Sequence, residues 1–127
     1  MNTFLLIANI LTFLAFIIHT FVGDKEIRLI EPEKGIKKQA IWTMSRCGWH
    51  WISIDLLLAS IIIAMINFSN FFLHEQSILQ LLTIYFAAYG FIWLFTIMIS
   101  KSFPKNYLNL GQWMLLLGIS ALLYAGS

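Results

Sequence analysis

The stretch GWHWISIDLLLASIIIAMINF, residues 48–68, is apolar over the roughly 20 residues that carry a helix across about 30 Å of hydrocarbon, yet it holds His50 and Asp55, with Arg46 just ahead. A transmembrane barrel strand would be about 10 residues long and would alternate apolar with polar side chains. This run is uncharged beyond Asp55 and does not alternate, so a helix is the reading that satisfies the backbone in lipid.

Three further blocks on either side read the same way. Residues 3–23, TFLLIANILTFLAFIIHTFVG, hold no charge and follow no Lys or Arg. They also lack a small-x-small cleavage site, so they read as a helix and not as a signal peptide. Residues 78–100 are uncharged, and residues 108–126 form the shortest block, with Gln112 near its start. The chain of 127 residues is 60% hydrophobic and 11% charged, where a soluble domain carries about 25% charged residues. These features predict an all-α polytopic membrane protein. It is expected to form a single four-helix transmembrane bundle over residues 1–127, with spans 3–23, 48–68, 78–100 and 108–126 and a cytoplasmic loop at 24–47.

The basic residues give the orientation. Lys25, Arg28, Lys34, Lys37, Lys38 and Arg46 precede the second span, and Lys101 and Lys105 lie between the third and fourth, which accounts for all eight. The positive-inside rule therefore places these two loops in the cytoplasm and both termini outside it. Pro32 and Gly35 interrupt the first loop, and residues 36–49 are expected to form an amphipathic turn along the headgroups. The basic residues are accounted for by topology, so the net charge of +2 is no reason to invoke nucleic acid. The partner that the composition does imply is the lipid bilayer, with a homo-oligomer as an expectation.

At about 100° per residue, Arg46, His50, Ser53, Ser60 and Ala64 share a face of the second span, and Asp55 lies almost opposite Arg46. Arg46 reads as an interfacial anchor with Trp49, Trp51 and Trp42. Asp55 is too deep to snorkel, and a carboxylate there is a functional candidate by default. In an outside-to-inside first span, His19 reaches a depth similar to that of His50, close to Asp24, and the same slice takes Thr96 and Gln112. The candidate polar site is therefore His19, Asp24, His50, Asp55, Thr96 and Gln112, all in the cytoplasmic half. The outer half offers only neutral groups such as Asn9, Gln80, Thr83 and Ser120.

Two imidazoles and carboxylates suit a proton relay, because histidine titrates near neutral pH. Two His and one carboxylate can also ligate iron or zinc, and two histidines on facing helices can hold haem. The spacing has no HExxH or paired i, i+4 ligand set, so the sequence leaves metal and cofactor undetermined. Cys47 is the only cysteine, which excludes an intramolecular disulfide and a CxxC pair. Gly111 and Gly118, with Ala87, Ala88 and Gly90, are expected to let the third and fourth helices approach closely. The function expected is proton or small-solute transport through the polar site. The alternatives are a non-catalytic membrane scaffold or assembly subunit, and a membrane-embedded metal- or haem-binding enzyme.

His19, Gly23 and Asp24, then Pro32, then Arg46, Trp49 and His50 form an H-x3-G-acid turn followed by R-x2-W-H. This pattern resembles one found in small bacterial four-helix integral membrane proteins of uncharacterised function. It covers the first half of the chain by motif and the second half by hydropathy. The resemblance implies a four-helix fold in a bacterial inner membrane and draws attention to the inner-half residues, but it carries no chemistry to transfer.

Overall fold

The computed structural model describes residues 1–100 and 107–127, so the expectations for Lys101 and Lys105 lie outside the described residues. Among the described residues every regular element is helical. Helix α1, Thr3–Ile17, passes through a π-helical turn, Ile18–Gly23, directly into α2, Asp24–Leu29. Helices α3, Ile36–Phe68, α4, Glu75–Ile99, and α5, Gln112–Gly126, follow. Three helical stretches, Thr3–Leu29, Ile36–Phe68 and Glu75–Ile99, are long and apolar enough to cross a membrane, and α5 is a shorter apolar helix. At about 1.5 Å per residue, α5 extends roughly 22 Å.

Several boundaries differ from the sequence expectation. The first helix continues through Asp24 to Leu29, and α3 starts at Ile36 instead of Gly48. The expected loop of residues 24–47 therefore shrinks to the connection at 30–35. Charge and hydropathy mark where a chain leaves an apolar medium, whereas a helix continues until its backbone is broken. Here Pro32 lies in the break, and Gly35 adopts φ 107°, a left-handed conformation open to glycine. Helix α5 begins four residues later than expected, because residues 107–111 form turns.

The chain divides into two compact parts, residues 12–62 and residues 1–11 with 63–127. In the second part α4 and α5 pair as a hairpin. Leu79, Leu82, Phe86, Gly90 and Ile97 of α4 recur at helical spacing and are buried, as are Ile119, Ser120 and Leu123 of α5. Close approach occurs at Gly90, where a Cβ would come 2.7 Å from Leu117 Cδ2. Gly118, expected at this contact, instead has open space where its Cβ would be. Ser120 Oγ donates to Thr83 O at 2.8 Å, and Trp93 Nε1 donates to Leu110 O at 3.2 Å, which fixes the turn ahead of α5 against α4.

The same part joins three helix ends through Asn2. Its Oδ1 accepts from Phe4 N at 2.9 Å as an N-cap of α1, its backbone N donates to Asn67 Oδ1 at 2.6 Å, and its Nδ2 donates to Gly126 O at 3.1 Å. Large apolar side chains remain outward on every long helix, among them Ile10, Leu14, Ile54, Leu58, Leu81, Ile84, Phe91 and Phe95. Exposure on this scale is foreign to a monomeric soluble protein and matches a lipid-facing surface.

Candidate functional site

The part formed by residues 12–62 carries a polar cluster between α2 and α3, with Asp24 as its hub. Asp24 is the first residue after the π-helical turn and is 8% exposed. Arg46 grips it with two bonds, Nε to Oδ1 at 2.7 Å and Nη2 to Oδ2 at 3.1 Å. Such a fork-on-carboxylate pair is among the strongest polar contacts available to side chains. One turn further along its own helix, Arg28 places Nε 3.2 Å from Asp24 Oδ2. His50 Nε2 lies 3.2 Å from Oδ1, a hydrogen bond when that nitrogen carries its proton.

A second group lies beside it. The His19 ring stacks on the Trp49 indole, with centroids 3.9 Å apart and planes 6° from parallel. His19 Nδ1 and Ser53 Oγ hydrogen-bond at 3.0 Å, and Trp49 Nε1 donates to His19 O at 2.8 Å. That indole N–H enters alongside the backbone ladder within the π-helical turn, and side-chain insertion is a recognised cause of departures from α geometry. Trp49 also explains Gly23. A Cβ on Gly23 would come 2.9 Å from Trp49 Cε2 and nearer still to Cζ2, so the indole needs a residue without a side chain there.

The R-x2-W-H and H-x3-G-acid patterns thus meet in space, with Arg46 and His50 on Asp24, and Trp49 on His19 and Gly23. Trp42 adds a tie nearer the hairpin tip, donating Nε1 to Ile27 O at 3.1 Å while its ring lies 5.5 Å from the Arg46 guanidinium. Arg46, expected as an interfacial anchor, directs its Nε and Nη2 to Asp24, and Trp49, expected likewise, gives its indole N–H to His19 O. Trp51 differs, being 73% exposed on α3.

Of the six residues expected in the site, the structure brings His19, Asp24 and His50 into this cluster. Asp55 is half-buried on α3 and is engaged within the chain. It stands about 140° around the helix from His50, so the carboxylate facing His50 is that of Asp24. Thr96 and Gln112 belong to the other compact part. The Thr96 hydroxyl donates to Ile92 O one turn back in its own helix, and Gln112 is exposed at the start of α5. Two members escaped the sequence reading. Ser53 is a polar residue sharing the His50 face, whereas nothing in the sequence sets Arg28 apart from the other charges of 24–47; only the continuation of helix through it places it beside Asp24.

Among the described residues, no three His, Cys, Asp or Glu side chains group as a metal site. Chemically, the cluster can hold a carboxylate ionised under guanidinium donors and present an imidazole to it. Comparison with protein families, curated proteins and solved structures yields no match.

Proposed function

We propose that the chain is a four-span integral membrane protein of a bacterial inner membrane, with both termini outside the cytoplasm, and that the Asp24 cluster handles protons in transport. One observation carries the reading: polar groups follow one another from the helix ends inward. His50 contacts Asp24 and has a side chain 43% exposed. Ser53, one turn further into α3, is buried and holds His19. A carboxylate and two imidazoles in succession suit proton transfer, and π-helical turns frequently accompany functional sites.

The test is proton flux under an imposed membrane potential in proteoliposomes, with thermal stability measured in parallel. Asp24→Asn and His50→Gln should each abolish flux while the protein remains folded. Undiminished flux in both variants would refute the proposal.

A scaffold role is the second reading, and the bidentate Asp24–Arg46 pair favours it, because that pair joins α2 to α3. It gains if the wild-type protein supports no flux and Asp24→Asn lowers stability instead.

A further inference from the structure

Arg28 and Arg46 are both directed at one carboxylate, yet neither is consumed by it. Each guanidinium carries five N–H donors; Arg46 uses its Nε and Nη2 on Asp24, and Arg28 presents only its Nε. The Arg28 side chain is 56% exposed and that of Arg46 33%. The carboxylate holds two like charges in neighbouring positions, which fixes them in advance for a second anion. Glu31 acts on Arg46 at longer range. Across residues 24–46 the six basic side chains still exceed the four acidic ones.

Their level follows from helix length. About 20 residues cross the hydrocarbon, which takes the first helix from Thr3 to about Gly23 and takes α3 from Phe68 back to about Gly48. Counted on either helix, Asp24 and Arg46 fall immediately past the apolar stretch, where lipid phosphates lie. Trp51, exposed just inside this level, is the residue type enriched there.

We propose that the outward edges of Arg28 and Arg46 form a phosphate site, occupied by the phosphodiester of an anionic membrane lipid. Arginine suits this role because its planar fork matches phosphate oxygens, and the Trp42 ring beside Arg46 limits the guanidinium's freedom. The inference rests on the membrane placement above and is independent of proton transfer. Flux can fail while lipid binding holds, and the reverse.

The experiment is native mass spectrometry of the detergent-purified full chain, titrated with phosphatidylglycerol or phosphatidylcholine. Wild type should retain phosphatidylglycerol preferentially. Arg28→Gln should lower that retention about fivefold, the size expected for one basic side chain at an anionic surface, with an unchanged melting temperature. The double substitution Lys37→Gln, Lys38→Gln should leave retention near wild type. Equal retention of the two lipids, indifference to Arg28→Gln, or an equal loss in the lysine variant would overturn the site. Displacement of the lipid by millimolar inorganic phosphate would overturn the lipid as its occupant.

Discussion

Replacing Gly23 by alanine is a one-carbon test of the cluster. The added Cβ would come 2.9 Å from Trp49 Cε2 and closer to Cζ2, well inside van der Waals contact. Trp49 cannot simply swing away, because its indole N–H is bonded to His19 O at 2.8 Å and its ring is stacked on His19 at 3.9 Å. Overpacking a fitted site costs about 1–3 kcal/mol. Losing the indole hydrogen bond adds about 1 kcal/mol, so the total expected is roughly 2–4 kcal/mol. On the scale for domains of similar length this is a fall in melting temperature of roughly 10 °C. Gly48 provides the control on the same pair of helices, since a Cβ there meets nothing within 4 Å. Gly48→Ala should therefore be neutral, or stabilising by up to about 1 kcal/mol from helix propensity. The assay is thermal unfolding in detergent followed by tryptophan fluorescence, which also reports displacement of the Trp49 ring. If Gly23→Ala melts within about 1 °C of wild type, or if Gly48→Ala falls as far, the fitted contact is not what holds these helices.

Gly90→Ala should cost about 0.5–1.5 kcal/mol, because its Cβ meets Leu117 Cδ2 at 2.7 Å and Cγ at 2.8 Å and the leucine must shift off its rotamer; the same melting assay would expose a larger loss as an error in the α4–α5 packing. Gly118→Ala should be silent in that assay, given the open space around its Cβ. Ser120→Ala removes the 2.8 Å bond to Thr83 O and should cost about 1 kcal/mol, with no change in proton flux. If His19 and His50 act in one relay, His19→Ala and His50→Ala should each lower flux and the double variant should fall no further, whereas independent losses that multiply would separate the two residues. A reporter fused to the C-terminus should be active only outside the cytoplasm, and cytoplasmic activity would reverse the topology.

The apolar blocks were legible from composition because lipid imposes one requirement on every crossing segment: apolar side chains over a helix long enough to satisfy its own backbone. His19, Asp24 and His50 were legible for the same reason, since ionisable groups beside such segments are conspicuous. Helix ends were less so. Residues 24–29 and 36–47 are charged, and hydropathy records where a helix leaves an apolar medium, not where it stops. Pairing lay beyond the sequence altogether. Angular position along α3 separated Asp55 from His50, but only the approach of α2 to α3 could put Asp24 there, with Arg46 and Arg28 on the same carboxylate. Likewise, small-residue content nominated Gly90 and Gly118 alike, while the side chains actually facing each position keep Gly90, leave Gly118 open and add Gly23 and Gly126. Periodicity along one helix says which residues share a face; which partner meets that face is set by the register between helices, a relation between distant parts of the chain that no local pattern encodes.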